Sequence, residues 1–411
     1  MIGLGPAGPR GPEPDVPRSE TLPWPQPPAA AHALQPVDPE LDRPYWIALG
    51  SVPGIGPATF GRLVARHGSA HAAWRAGPAA LADLPRVAAE AAASWRRARR
   101  EHAPAIAAAI EAATSRAGGR VVTSLDAEYP ASLERCNPRP PVLHVAGDLA
   151  CLQATCVAIV GTRRASGYGR ACAVEIADEL ARAGVTVVSG LALGIDGEAH
   201  TAAIDAGGRS AAVLPSPLGA VYPPRHRRLA ARLLETGGLL ISELPTGRAI
   251  GKPDFARRNR LVAALAMAVV VVEAPDRSGA LLTAAAAVEL GRDLYAVPGP
   301  IDAVASRGCN RLIADHAAAI VTSAVGLLQQ IGVHARRGDV TVVGSLSEAE
   351  GVVLAALLDR SASIEELTGR IRLPTGALAG ALTLLEARDL VTSYGGATFH
   401  PTLAARHLAD R

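Results

Sequence analysis

The chain has 411 residues and a formal net charge of +3, with 41 basic against 38 acidic side chains. This length suits about two to four domains. A charge so close to balance excludes nucleic-acid binding through the overall charge, and any such binding would need clustered arginines. The five cysteines are odd in number and none is spaced as Cys-x-x-Cys, which argues against a disulfide framework or a zinc site and fits a reducing cytoplasm.

The start of the chain is rich in proline, with 11 prolines in residues 1–40, and shows no apolar periodicity. Such a segment buries too little apolar surface to offset the entropy of ordering it, so we predict a disordered tail there. A basic stretch followed by an apolar run is missing, so we expect no signal peptide. The longest apolar run, 261–272, is too short to span a bilayer. We therefore expect a cytoplasmic protein without a membrane partner.

Residues 41–117 follow a helical pattern, with alanine, leucine and tryptophan spaced three and four apart. Within this stretch, Gly54-Ile55-Gly56 precedes an apolar-periodic segment over 60–64. Two helices joined by a Gly-x-Gly turn let backbone amides approach a phosphate, as in a SAM-like or helix-hairpin-helix-like domain. A tight turn in a purely structural bundle explains the same residues, so both interpretations stay open.

The main domain is placed at 118–330, where short apolar runs alternate with helical stretches. An extended stretch at 120–125 and a short strand at 142–145 lead into it. Continuously apolar strands that alternate with helices predict an α/β fold with a doubly wound parallel sheet. The strands are expected at 157–160, 185–188, 210–214, 239–242, 268–272, 294–297 and 320–322.

The end of the chain is predicted to contain a linker at 331–345 and a winged-helix domain at 346–411. Three helical stretches followed by a β-prone end at 390–399 indicate that module. Its third helix, 374–388, carries few side chains that could read bases in a DNA groove. We therefore favour a protein-interaction role for it over sequence recognition.

The first loop of the sheet, 161–169, is the strongest candidate site, because open parallel sheets bind ligands at the carboxyl ends of their strands. The loop lacks the Gly-x-Gly-x-x-Gly spacing of dinucleotide sites, so an NAD cofactor is disfavoured. It offers the Thr162 hydroxyl, the guanidiniums of Arg163 and Arg164, and amides at a helix start. These groups suit a phosphate, although an ordinary strand-to-helix turn remains the alternative.

The second loop is again rich in glycine, beginning at Gly190 and ending in Asp196. We predict that Asp196 caps the helix that follows, and that His200 is packed and hydrogen-bonded rather than part of an acid–base pair.

The third loop contains Ser216 and leads to Tyr222 and the basic run 225–228. Proteins that bind a single strand do so with arginines that contact phosphates and aromatic rings that stack on bases. A solvated helix start explains the basic run as well. Further along, Arg258, Asn259 and Arg260 stand near one helix start, and Ser278 and Gly279 at another.

The ordered segments VGTRRASGYG, SGLALGIDGEAH, VYPPRHRRL, SELPTG, FARRNRLVAALA and VVVEAPDRSGALLTAAAAVELGR resemble the DNA processing protein A family, also called Smf, over about 120–325. The resemblance implies an extended Rossmann fold that binds single-stranded DNA, protects it and helps to load the recombinase RecA in natural transformation. It also implies a homodimer, and a protein that is not an enzyme and has no cofactor, catalytic residue or metal site.

The DNA-binding residues expected from the loops and from the resemblance together form one set. They are Gly161, Thr162, Arg163, Arg164, Gly190, Arg209, Ser216, Arg225, Arg227, Arg228, Arg258, Asn259, Arg260, Ser278 and Gly279.

The sequence departs from the family pattern at a few positions. The family commonly has a basic residue where Leu193 stands, a Gly-x-Gly where Pro215-Ser216-Pro217 stands, and serine where Ala266 stands. Proline lacks an amide donor, so two possible phosphate contacts are missing. We expect DNA affinity to be lower or differently placed than in other members.

Two rival functions come from other classes. A phosphoribohydrolase of the lysine-decarboxylase-like type would cleave nucleoside monophosphates, but needs a Pro-Gly-Gly-x-Gly-Thr-x-x-Glu loop. Residues 277–283 stand there without the glycine pair. The second rival is a regulator that binds duplex DNA through the winged helix.

Overall fold

The computed structural model describes part of the chain, namely residues 38–82, 84, 89–333, 346–388, 390–394, 398–402 and 405. The predicted tail and linker, apart from residues 38–40 and 331–333, lie outside the described residues. The chain divides into two compact units, the first ending at residue 335 and the second beginning at residue 336. In the described part, no helix is long and apolar enough to cross a membrane.

The helical pattern after residue 40 is confirmed. The helices are α1 (Pro39–Ser51), α2 (Pro57–His67), α3 (Ala70–Ala76), α4 (Ala89–Ala98) and α5 (Ala103–Arg116). They enclose an apolar core that includes Leu49, Leu63 and Trp95. The buried carboxylate of Asp42 on α1 accepts hydrogen bonds from the amides of Ala70 and His71, at 3.0 and 2.7 Å. An anion at a helix start is favourable, so this contact ties α1 to α3.

A nine-stranded sheet follows, in the order β1-β2-β6-β5-β4-β3-β7-β8-β9. Strands β3 to β9 are parallel, whereas β1 and β2 extend one edge in antiparallel pairing. The predicted parallel α/β sheet is confirmed. The strands are β1 (Arg120–Thr123), β2 (Val142–Gly147), β3 (Cys156–Val160), β4 (Thr186–Ser189), β5 (Ser210–Leu214), β6 (Leu239–Ser242), β7 (Ala268–Val271), β8 (Asp293–Ala296) and β9 (Ala319–Ile320).

The helices of this sheet pack in two groups, α6 with α7 and α12, and α9 with α10. The strand order reverses at β3, whose neighbours are β4 and β7, so the loops after β3 and β7 diverge from one point. Ligands of open α/β sheets bind at such a point. The helices are α6 (Gly167–Arg182), α7 (Ile195–Asp205), α8 (Arg227–Glu235), α9 (Lys252–Leu265), α10 (Ala280–Glu289), α11 (Arg307–Ala314) and α12 (Ala324–Gln330).

The antiparallel edge of the sheet also holds the helical part of the chain. Arg43 on α1 forms an ion pair with Asp126, at 3.0 Å between Nε and Oδ1. On α5, the Thr114 hydroxyl donates to the Ile110 carbonyl, so it accepts at 2.9 Å from Nδ1 of the buried His144 on β2. Burial lowers the pKa of His144 to about 4, so the ring is neutral at physiological pH.

The second unit, considered by itself, has helices and a three-stranded antiparallel sheet in the order β10-β12-β11. Ser347 and Ser363 begin helices with reciprocal capping boxes to Glu350 and Glu366. The helix predicted at 374–388 is present and spans residues 375–387. The elements are α13 (Glu348–Asp359), β10 (Ala362–Ser363), α14 (Ile364–Arg370), α15 (Thr375–Ala387), β11 (Val391–Tyr394) and β12 (Thr398–Pro401).

Acidification should destabilise the chain through His144. Its folded pKa of about 4 lies below the ordinary value of 6.5, so below pH 6.5 the unfolded chain takes up a proton that the folded chain does not. Stability is therefore lost as the pH falls from 6.5 through 4, by about 2–3 kcal/mol at pH 4.5. Urea unfolding at pH 7 and 4.5 measures this. The His144→Gln variant should lose less stability on acidification, and an equal loss would contradict the prediction.

Candidate nucleic-acid interface

The loop between β3 and α6 is fixed at both ends. The Thr162 amide donates to the Glu273 carbonyl oxygen at 2.7 Å, and the Ser166 hydroxyl accepts from the Gly169 amide at 3.0 Å to cap α6. A side chain at Gly161 would place its Cβ 2.5 Å from Ile195, so no larger residue fits there. Arg163 and Arg164 lie between the fixed ends and are exposed. The loop therefore presents its basic side chains outward from a rigid frame.

Glu273 is a site residue that the sequence reasoning missed. It lies two residues beyond the end of β7 and is 3% exposed. Its carboxylate accepts from the amide and the hydroxyl of Ser166, at 2.8 and 2.6 Å. A buried carboxylate requires such donors, and here they come from the neighbouring loop. The signal that could have revealed it is an acidic residue at the carboxyl end of a continuously apolar strand.

The loop between β4 and α7 is held by a buried charge. Arg258 on α9 is 6% exposed and donates to the carbonyl oxygens of Gly190 and, at 2.9 Å, Val213. Burial lowers the pKa of Arg258 to about 10, which leaves it charged at neutral pH. Asp196 lies nearby, with a pKa raised by burial while the charge of Arg258 opposes this rise. Arg258 therefore ties the loop after β4 to strand β5 from inside.

Our prediction that Asp196 caps α7 is wrong. The N-cap is Gly194, with a φ of 77°, and Asp196 lies inside the first turn. Its carboxylate reaches back to accept from the amides of Gly190 and Ala192, at 3.1 and 3.3 Å. His200 is fully buried, with Nδ1 2.7 Å from the Ser210 hydroxyl, as expected. Burial lowers its pKa to about 3, so it is not suited to proton transfer at neutral pH.

The two residues after Arg258 also make contacts within the protein. Arg260 forms an ion pair with Glu243 at 2.5 Å and donates to the carbonyl of Pro138. The Asn259 side-chain amide donates to the Gly279 carbonyl at 3.1 Å. The sequence predicted direct DNA contacts for Arg258, Asn259 and Arg260. The structure gives each of these three side chains hydrogen-bond partners within the protein, and their contact with DNA stays a prediction.

An aromatic and basic cluster lies where α9 contacts the β3 loop and the segment before α8. The Arg163 guanidinium lies 5.2 Å from the ring centroid of Phe255, and the Tyr222 ring lies 5.5 Å from Phe255 at 78°. Phe255 therefore joins the β3 loop to the segment before α8, a contact that the sequence did not reveal. The exposed side chains beside this segment are Arg225, Arg227 and Arg228.

Other predicted residues are placed differently. Arg209 lies at the amino end of β5, within 4.0 Å of Asp148, so the structure separates it from the loops at the carboxyl edge. Ser216 is fully buried, its hydroxyl has no hydrogen-bond partner among the described residues, and Pro215 and Pro217 around it are buried too. Ser278 and Gly279 stand at the start of α10, where Gly279 is the N-cap.

The chemistry available at this edge is anion binding combined with ring stacking. Guanidiniums bind phosphate oxygens in bidentate fashion, and exposed rings stack on bases. Among the described residues, no group of three or more His, Cys, Asp and Glu side chains is placed to hold a metal ion.

A doubly wound α/β sheet with arginines and rings at its carboxyl edge defines a Rossmann-like protein. The sequence profile described as DNA recombination-mediator protein A matches residues 120–332, just over half of the chain. A second profile, the DprA-like N-terminal HHH domain, matches residues 40–112. The chain belongs to the DNA recombination-mediator protein A family, whose members are named DprA or Smf.

Individual relatives agree with this assignment. A DNA processing protein DprA of Mycobacterium tuberculosis is 40% identical over 300 residues, covering 68% of this chain and 77% of the relative. Protein Smf of Escherichia coli is 44% identical over 208 residues, which cover 50% of this chain and 55% of that protein. The X-ray structure of DNA processing protein A from Streptococcus pneumoniae aligns with a TM-score of 0.60 at 29% identity, covering 70% of this chain and 97% of that one.

Replacing Arg258 with alanine should lower the free energy of unfolding by about 3–5 kcal/mol, because Asp196 loses its compensating charge and the carbonyls of Gly190 and Val213 lose their donor. Urea unfolding followed by circular dichroism measures the loss. The control variant Arg62→Ala removes an exposed arginine from α2 and should change stability by no more than about 0.5 kcal/mol. A similarly small effect for Arg258→Ala would contradict the prediction.

Proposed function

We propose that this chain binds single-stranded DNA along the carboxyl edge of its parallel sheet. The observation that carries the proposal is the cluster of Arg163, Phe255 and Tyr222, in which a guanidinium and two rings meet beside the fixed β3 loop. Phosphate and base are the two parts of a nucleotide that these groups recognise.

A single strand fits this edge better than a duplex. Tyr222 is 37% exposed, and a ring at the surface can stack only on a base whose face is free. Duplex DNA hides these faces between neighbouring base pairs, whereas single strands offer them. Exposed arginines stand in the β3 loop and in the run after Tyr222, and we expect them to contact the phosphates of the strand.

The predicted site residues divide into two groups under this proposal. The direct phosphate contacts are Thr162, Arg163, Arg164, Arg225, Arg227 and Arg228, with the amide of Gly161 beside them. The others support the loops or line the same edge, namely Gly190, Ser216, Arg258, Asn259, Arg260, Ser278 and Gly279. Arg209 is left out of the strand's path because of its place at the opposite edge.

The wider role follows from family membership rather than from any single contact. We propose that the protein protects single strands, promotes RecA loading, acts as a cytoplasmic homodimer and catalyses no reaction. The domain limits stay as proposed from the sequence. For 346–411 we propose a winged-helix domain, supported by the order of helices α13 to α15 before the hairpin β11–β12.

Arg163→Ala should weaken single-strand binding by about 1–2 kcal/mol, because one charge-assisted phosphate contact is lost. The slope of log affinity against log salt should fall by roughly 0.7. Fluorescence anisotropy with a labelled oligothymidine strand measures both quantities. The control Arg182→Ala removes an arginine at the far end of α6, where it pairs with Asp178, and should change neither. Unchanged binding by Arg163→Ala would remove this loop from the site.

Tyr222→Leu should weaken single-strand binding by about 1–3 kcal/mol while leaving the salt slope unchanged, because stacking carries no charge. The same anisotropy titration separates this result from that of Arg163→Ala. Equal affinity of the variant and the unmodified protein would exclude Tyr222 as a stacking surface.

Competition among unlabelled single strands, duplex and mononucleotides tests the function itself. We expect the single strand to compete best. Preference for duplex would favour a regulator that acts through the C-terminal unit, and tight mononucleotide binding would favour a nucleotide-processing enzyme.

A further inference from the structure

The crevice between the loops after β3 and β7 is bridged by a backbone hydrogen bond in this protein. These strands are neighbours at the point where the strand order reverses, which is where open α/β sheets receive nucleotide ligands. The hydrogen bond from the Thr162 amide to the Glu273 carbonyl joins the two loops across that point, at 2.7 Å. The crevice therefore contains protein where related folds contain a ligand.

The side chain of Glu273 occupies the space beside the first turn of α6. Its carboxylate accepts from the amide and the hydroxyl of the N-cap Ser166. A Cβ added to Gly169 in that turn would lie 2.5 Å from Oε2 of Glu273. No phosphate fits between the carboxylate and the helix at so short a distance.

An anion beside the start of a helix is physically favourable, because the first amides and the helix dipole present positive charge there. Proteins that bind dinucleotides place the ligand's pyrophosphate in this position. Here the chain itself supplies the anion, which is the carboxylate of Glu273 in the loop after β7. Glu273 thus satisfies the electrostatic requirement that a nucleotide would otherwise satisfy.

We propose that Glu273 is a positioning and specificity-determining residue. It fixes the β3 loop so that Arg163 and Arg164 face the strand outside, and it excludes the phosphates of free nucleotides from the crevice. The positioning part rests on the proposed single-strand binding, whereas the exclusion part does not. Glu273 therefore favours a polymer bound along the outside of this edge over a free nucleotide bound in the crevice.

Neutralising Glu273 should affect DNA binding in two opposite ways, one through its charge and one through the position of the β3 loop. Removing a negative charge near a phosphate site should, by charge alone, strengthen DNA binding. Loss of the loop's anchor should weaken it, because the arginines are no longer held in place. The direction of the change therefore separates positioning from simple charge.

Glu273→Gln should weaken binding of a labelled oligothymidine strand about tenfold, which corresponds to one or two net hydrogen bonds. Ser166→Ala keeps the charge of Glu273 and removes the hydroxyl contact, so we expect a smaller loss. The matched control Glu289→Gln makes the same charge change at the exposed end of α10 and should leave affinity unchanged. Unchanged or tighter binding by Glu273→Gln, with a thermal melt like that of the unmodified protein, overturns the positioning part.

Inorganic pyrophosphate tests the exclusion part by isothermal titration calorimetry. We expect Glu273→Gln and Glu273→Ala to bind it at millimolar concentrations and the unmodified protein and Ser166→Ala to show at least tenfold weaker binding. Equal titrations of all four proteins overturn exclusion. If the unmodified protein fails to bind single strands, the proposed function falls, while the pyrophosphate titration still decides whether Glu273 blocks the crevice.

Discussion

The buried guanidinium of Arg258 is the interaction on which the carboxyl edge of the sheet depends. A charge inside a protein is tolerated only when its hydrogen bonds and counter-charge are supplied. The carbonyls of Gly190 and Val213 and the nearby Asp196 supply them, and they come from the loop after β4, from β5 itself and from α7. These three elements cannot move apart without leaving a buried charge unpaired. Their fixed spacing is what makes a surface of exposed side chains possible above them.

The charged groups of this edge accordingly form two layers. The inner layer is neutralised within the fold, by pairs such as Arg260 with Glu243. The outer layer, which includes Arg163 and Arg227, is exposed and available for phosphate. A net charge of +3 therefore coexists with a basic edge, since most of the basic charge elsewhere is balanced by acidic side chains. Local placement rather than total charge decides which ligand the protein can take.

The departures at Leu193 and at Pro215 and Pro217 fall in loops at this edge, whereas Ala266 lies between α9 and the amino end of β7. Pro215 and Pro217 are buried beside Ser216. The amide donors that these prolines lack would therefore lie inside the protein and not on the exposed surface of this edge. Leu193 is half-buried in the loop before α7 and adds no charge there. The arginines around Tyr222 and in the β3 loop are unaffected by these substitutions. Under the proposed function, strand binding at this edge would rely on the β3 loop and the start of α8.

The sequence by itself determined the alternation of strands and helices, and with it the parallel sheet and the candidate loops, because apolar runs and helical periodicity are local properties. It also identified Arg163 and Tyr222, since a basic cluster beside an aromatic is visible in the chain. Only the tertiary structure showed that β2 pairs with β6, that Arg258 is buried, and that Glu273 anchors Ser166 across 107 positions. Such contacts join residues far apart in the chain. Whether a charged side chain meets a ligand or another part of the protein depends on its burial, which the neighbouring residues in the chain do not encode.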